Sequence, residues 1–213
     1  MKRFKVSFFG ESGVGKSSIV ARFMTGHFNE FHNSTVGAAF SSKLLNIDGR
    51  CIELNIWDTT GQERYRSLSP LYYRDSKVII LVYDLTKHHS YIKCHMWLKE
   101  IIENYRHYSK ENFPLIYLAG NKIDLVNDNM ELRKVDPNVL QDFTSKNNLI
   151  PFEVSAKSGH GIIELFNDIA SRLIESNQIN PIDEKAAYII LGRKIGVNEG
   201  LKNSTNKQCC FQL

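Results

Sequence analysis

Residues 10–17 read Gly10-Glu11-Ser12-Gly13-Val14-Gly15-Lys16-Ser17. This is the spacing G-x-x-x-x-G-K-[ST] of a phosphate-binding loop. Val6, Phe8 and Phe9 precede it in a β-rich run, and residues 18–24 follow with helical character. A strand, a glycine-rich turn and a helix N-terminus aim backbone N–H groups at phosphate oxygens. The stretch from Ser12 through Val14 and Gly15 to Ser18 is therefore expected to line the phosphates. Lys16 is placed to reach the β- and γ-phosphates, and the Ser17 hydroxyl is what a phosphate-bound Mg²⁺ requires. The bland alternative is a glycine-rich turn that binds nothing. It leaves unexplained why both glycines, the lysine and the serine stand in register between a strand and a helix.

Three further stretches lie downstream in a fixed order. Asp58-Thr59-Thr60-Gly61-Gln62 ends an apolar strand at residues 52–57. A carboxylate there suits Mg²⁺, which keeps several waters and takes few protein ligands. Gly61 allows its N–H to approach the γ-phosphate, and Gln62 can orient an attacking water. Lys16, Gly61 and Gln62 are the candidate catalytic groups. Asn121-Lys122-Ile123-Asp124 follows a short buried strand at residues 115–120, and ligands of open α/β sheets bind beyond the carboxyl ends of strands. Asp124 can accept from guanine N1–H and the 2-amino group, donors that adenine lacks at those places; Asn121 and Lys122 brace the base. Ser155-Ala156-Lys157 follows another strand, with the Ala156 N–H available to the base carbonyl and the Lys157 stem to its face.

In this order, the motifs identify the chain as resembling the Rab family of Ras-like small GTPases over residues 4–175. Trp57-Asp58-Thr59, Gln62-Glu63-Arg64-Tyr65-Arg66, Tyr72-Tyr73-Arg74, residues 81–86 and the C-terminal Cys209-Cys210 carry the Rab character. Residues 34–40 with 68–73 look most like the early-endosomal Rab subgroup. The resemblance implies a phosphate-loop GTPase fold of the α/β class: a mixed, mostly parallel six-stranded sheet with helices on both faces. It implies GTP or GDP as bound nucleotide with Mg²⁺ held by Ser17, Thr35 and Asp58, and Phe28 edge-on against the guanine. Phe40, Trp57 and Tyr72 would form the patch on which effectors dock, although aromatics in such positions also serve as ordinary core. The reaction would be GTP hydrolysis to GDP and phosphate, slow without an activating protein. The other partners would be an exchange factor and a GDP dissociation inhibitor or escort protein.

Two places depart from the family. Thr60 stands where Ala is usual, and its methyl and hydroxyl would crowd the attacking water. Asp75-Ser76 stands where Gly and Ala are common, adding negative charge at the end of the second switch. Two other functional classes stay open on the residues alone. One is a small-metabolite kinase, which the guanine-selecting Asp124 opposes; the other is a guanine-nucleotide scaffold whose hydrolysis Thr60 suppresses, which Gln62 opposes.

The 213 residues, 42% of them hydrophobic, suit one globular domain at 1–175 and a tail at 176–213. A net charge of +4 without a Lys/Arg run gives no reason to expect a nucleic-acid partner. The short N-terminal apolar stretch reads as a strand, not a secretory leader, so the protein is expected in the cytosol; the resemblance implies that it cycles from there to the cytoplasmic face of intracellular membranes, endosomal ones in particular. Cys51 and Cys94 are expected as buried free thiols. From residue 178 the tail carries Lys185, Arg193, Lys194, Lys202 and Lys207 against Asp183, Glu184 and Glu199, a weak net +2. By the resemblance its aliphatic patch at 186–191 would meet the prenylation escort. Cys209 and Cys210 are the candidate geranylgeranylation sites.

Local patterns supply the remaining elements. Asp48-Gly49 between residues 43–47 and 51–57 predicts a hairpin. Residues 78–83 predict a central strand. Helical spacing over 91–105 predicts an amphipathic helix with Ile92, Met96, Ile101, Ile102 and Tyr105 on its apolar face. Asp136-Pro137 opens another helix running through Val139, Leu140 and Phe143. Residues 162–174 are the last, with Ile162, Leu165, Phe166, Ile169 and Leu173 inward. Residues 106–112 and 127–133 read as solvated polar loops, and the seven histidines as surface residues without metal-ligand spacing.

Overall fold

The computed structural model describes residues 1–30, 35–105 and 113–177. Most of the tail, with Cys209 and Cys210, and the loop at 106–112 lie outside them. The β-rich run before the phosphate loop forms β1 (Lys2–Phe9), and α1 (Lys16–Thr25) starts inside that loop. The hairpin pairs β2 (Ala38–Ile47) with β3 (Arg50–Thr59), antiparallel from Ala38↔Thr59 to Ile47↔Arg50. Asp48 and Gly49 both take positive φ, 50° and 76°, as a two-residue hairpin turn of the primed type requires. The chain continues through a 3-10 turn, α2 (Ser69–Tyr73), β4 (Val78–Asp84), α3 (His88–Tyr105), β5 (Leu115–Asn121), α4 (Ile123–Asp128), α5 (Pro137–Asn147), β6 (Ile150–Glu153) and α6 (Ile162–Ser176).

The sheet order is β2-β3-β1-β4-β5-β6, parallel throughout except for the β2–β3 hairpin. Strands buried on both faces read as continuous apolar runs, and β4 shows how this divides the core. Val78, Ile80 and Val82 pack with Ile19, Phe23 and Phe166 of α1 and α6. Ile79, Leu81 and Tyr83 pack with Tyr91, Leu98 and Leu140 of α3 and α5. Phe23 and Phe166 stack at 3.5 Å between centroids, fixing α1 against α6. Because parallel strands all end on the same side, β1, β3, β4 and β5 bring their carboxyl-end loops to one edge.

Three expectations need correction. The inward face of α3 is Tyr91, Cys94, Leu98, Ile101 and Tyr105, while Ile92, Met96 and Ile102 are exposed. Ile101 and Tyr105 face inward as expected, and Tyr91, Cys94 and Leu98 complete the 3-4-3-4 spacing with them against the sheet. Residues 127–132 are exposed as expected, but 127–133 is not an irregular loop: it holds the end of α4 and a 3-10 turn at Met130–Leu132, and Arg133 forms a bidentate pair with Glu153 at 2.8 and 2.7 Å. His95 is not a plain surface histidine. It stacks on Phe143 at 3.7 Å and meets Tyr91 edge-on at 4.7 Å.

The Asp136 carboxylate caps α5 by accepting from Asn138 N–H at 2.7 Å, with Val139 exposed and Leu140 buried. Cys51 and Cys94 are buried free thiols. Asp75 takes φ 60°, which explains why glycine suits that place, and Ser76 hydrogen-bonds Ser7 at 2.8 Å in the core. No helix among the described residues is long and apolar enough to cross a membrane.

Candidate nucleotide site

The loops beyond β1, β3 and β5, together with the segments after α1 and β6, enclose a cavity of about 510 Å³. Ser12, Gly13, Gly15, Lys16, Ser17 and Ser18 line one end; Phe28, Asn121, Lys122, Asp124, Ala156 and Lys157 line the other, and Thr35 and Gly61 border it. Of the expected residues, Val14 is buried in the core, Ser155 lies just behind the wall, and Asp58 and Gln62 do not line the cavity. Thr60 lines the cavity as its expected place beside the γ-phosphate requires, and Asn29, Glu30, Thr59 and Leu125 join the lining without having been expected there.

Close backbone approach explains the glycines. A Cβ on Gly15 would stand 2.2 Å from Asn121 Nδ2, and Gly15 has φ 98°. A Cβ on Gly61 would stand 2.4 Å from Ser12 N. The loop after β3 therefore lies directly on the phosphate loop.

Lys16 is buried, and its ammonium donates to Gly10 O at 2.9 Å and Glu11 O at 3.0 Å. Burial pushes it down to about 8, opposed chiefly by the Asp58 carboxylate. Ser17 Oγ lies 2.8 Å from Thr35 Oγ1, which lies 3.5 Å from Asp58 Oδ2. These two hydroxyls and one carboxylate, all hard oxygen donors, fit a magnesium ion that keeps most of its waters. Among the described residues no cluster of three or more His, Cys, Asp or Glu offers a rival metal site.

At the other end each motif residue is held by another. Asn121 Nδ2 donates to Val14 O at 2.8 Å, joining the base end to the phosphate loop across 107 residues of chain. Its Oδ1 accepts from Ala156 N–H at 3.1 Å, so that donor, expected on the base carbonyl, is engaged by Asn121. Ser155 Oγ donates to Asp124 Oδ1 at 2.6 Å. Lys122 adopts φ 70°, and its ammonium pairs with Asp84 Oδ2 at 2.7 Å. The other Asp84 oxygen accepts from Thr86 N–H at 2.9 Å and Thr86 O–H at 2.7 Å. Burial pushes the Asp84 carboxyl up, but the bonds from Lys122 and Thr86 outweigh it and hold the group below its ordinary value.

Sequence reasoning missed Asp84. The same strand-end rule that singled out Asp58 and Asp124 applies to it, since it is the last residue of β4.

Thr60 N–H donates to Gly37 O at 2.8 Å, linking the loop after β3 to the segment before β2. Its hydroxyl accepts from Gln62 N–H at 3.2 Å. The polar half of the unusual side chain is thus engaged within its own turn. Phe40, 55% exposed, lies 5.3 Å from the Trp57 ring, and Trp57 lies 6.0 Å from Tyr72. Trp57 and Tyr72 are half-buried, so the patch is part core and part surface. Val36 and Leu71 are also exposed large apolar side chains.

Residues 5–175 match the Ras family. The chain is 36% identical over 210 residues to "Ras-related protein Rab-5A" of Dictyostelium discoideum, covering 98% of this chain and 96% of that protein. It is 40% identical over 171 residues to "GTP-binding protein YPT53" of Saccharomyces cerevisiae, covering 79% and 76%. With the phosphate loop, the strand-end carboxylates and the six-stranded mixed sheet in their places, the chain belongs to the Ras family and is a Rab-type small GTPase.

Proposed function

We propose that this GTP-binding switch of vesicle trafficking acts on endosomal membranes, reporting its nucleotide through the Phe40, Trp57 and Tyr72 patch to effectors. The observation that carries the reading is the bond from Thr60 N–H to Gly37 O, beside two cavity-lining residues, Thr35 and Gly61. The two switch loops are joined to each other at the γ-phosphate end of the cavity, and β2 and β3 carry Phe40 and Trp57 away from that joint.

Lys16 holds the β- and γ-phosphates, exchanging its two carbonyl partners for phosphate oxygens. Gly61 N–H and Thr35 N–H face the γ-phosphate, and Gln62 orients the attacking water in line. Ser17, Thr35 and Asp58 would hold the magnesium ion, which neutralises charge on the phosphate oxygens. Asp124 and Asn121, with Ala156, Lys157 and Phe28 around them, hold the guanine. Loss of the γ-phosphate removes the anchor for both loops, which then relax. An exchange factor, an activating protein and an escort or dissociation inhibitor complete the cycle. Geranylgeranyl groups on Cys209 and Cys210 supply the membrane anchor.

A second reading is a guanine-nucleotide scaffold with very slow hydrolysis. Thr60 favours it, because it lines the cavity and holds Gln62 N–H in the turn. Single-turnover GTP hydrolysis with an activating protein separates the two. The switch reading expects strong acceleration in the parent protein and its loss in Gln62→Leu, with nucleotide binding retained. An unaccelerated parent protein would support the scaffold.

A further inference from the structure

We propose that Arg22 is a positioning residue that joins the two walls of the base pocket and so sets how slowly guanine nucleotide leaves. This rests on the guanine site described above. Arg22 lies in the last turn of α1, and its guanidinium is spread over three backbone carbonyls. Nε donates to Ala156 O at 2.8 Å, Nη1 to Gly26 O at 2.6 Å, and Nη2 to Lys157 O. Ala156 and Lys157 line the base end of the cavity from one side. Gly26 ends α1 with φ 75°, its N–H donating to Arg22 O at 2.8 Å, and two residues later Phe28 lines the opposite side.

The guanidinium is planar with its five donors in a fixed fork. Three acceptors on two segments can be satisfied together only when those segments keep one spacing. The rest of the structure shows why the effect is on spacing and not on folding. The segment around Ser155 closes on itself through Gly159 N–H to Ser155 O at 2.8 Å and Ser155 N–H to His160 O at 2.9 Å. It is also tied to Asn121 and Asp124. Across the gap the Lys157–Glu30 pair stands at 3.6 Å between two largely exposed side chains, a geometry that contributes little. Removing Arg22 therefore leaves both segments folded and free to separate. Separation opens the pocket at Phe28 and Lys157 while the phosphate end stays closed.

The test is release of fluorescently labelled GDP from the full-length protein into excess unlabelled GDP with Mg²⁺. Arg22→Met keeps the stem and removes the fork; it is expected to release GDP about tenfold faster or more, since charge-assisted bonds are lost. Single-turnover hydrolysis of preloaded GTP, which depends on the other end of the site, should stay within about twofold. Arg22→Lys retains the charge but reaches fewer acceptors, so its release should fall between Arg22→Met and the parent protein. That partial recovery, with unchanged hydrolysis, is not expected of a general packing defect. Should Arg22→Met fail to fold, Arg22→Lys and Arg22→Gln carry the same comparison. Release at the parent rate in all three variants, or hydrolysis falling together with retention, would overturn the clamp. A parent protein that retains ADP as firmly as GDP would instead overturn the guanine site beneath it.

Discussion

Asp84→Asn perturbs the base end of the site from a position that does not itself line the cavity, through its contact with Lys122. Asp84 is 1% exposed, and its two oxygens accept three bonds, two from Thr86 and one from the Lys122 ammonium. Asparagine keeps the shape and an oxygen for Thr86. Its amide places N–H donors against the ammonium, so Lys122 loses its partner and gains a repulsive neighbour. Breaking a fully buried ion pair from one side costs about 3–5 kcal/mol. The Lys122 side chain is 31% exposed, so water recovers part of that. The expected loss is about 1.5–2 kcal/mol, or about 3–8 °C in Tm at roughly 2–4 °C per kcal/mol for a domain of this size.

The loss should also show as faster GDP release, because Lys122 at φ 70° loses the contact that holds it there. The sign with pH follows from the carboxyl lying below its ordinary 3.8. The stabilisation is fully present above the unfolded value and disappears as pH falls through the lower folded value. The gap between Asp84→Asn and the parent protein should therefore be constant near neutrality and close below about pH 4. Urea unfolding at fixed excess GDP measures it, with Lys122→Met and the double variant completing a cycle. A coupling under about 0.5 kcal/mol, the usual additivity error, would refute the argument that this pair holds the base loop.

Asp124→Asn should cost several kcal/mol of GDP affinity by leaving guanine donors unpaired; equal competition by ATP and GTP in the parent protein would contradict the selector role. Thr60→Ala should speed intrinsic hydrolysis, Thr60→Val should separate the methyl from the hydroxyl bonded to Gln62 N–H, and an unchanged or slower rate in Thr60→Ala would remove the crowding argument. Cys209→Ser should leave transient membrane binding, since one lipid chain anchors only marginally, and Cys209→Ser with Cys210→Ser should be wholly cytosolic with nucleotide binding intact. Mass spectrometry of the C-terminal peptide decides this, and two unmodified thiols would defeat the anchor.

Much of the site was legible because its chemistry is local. A phosphate loop needs its glycines, lysine and serine within one turn, and a strand-end carboxylate announces itself by following an apolar run. The alternation of strands and helices and the Asp48-Gly49 turn likewise carry their own periodicity. The apolar stripe of α3 was legible only in part: Ile101 and Tyr105 face inward as expected, but Tyr91, Cys94 and Leu98, which complete a 3-4-3-4 spacing with them against β4 and α5, take the places expected of Ile92 and Met96.

The sequence by itself therefore determined the mixed sheet, the nucleotide class and the order of the motifs, since each depends on residues adjacent in the chain. The tertiary structure alone decided how those motifs brace one another. Asp84 meets Lys122, Arg22 meets Ala156 and Lys157, and Asn121 meets Val14 across separations with no periodicity to read. Such pairings arise because parallel strands deliver distant loops to one edge, where buried carbonyls and charges must find partners from whichever segment the fold brings beside them.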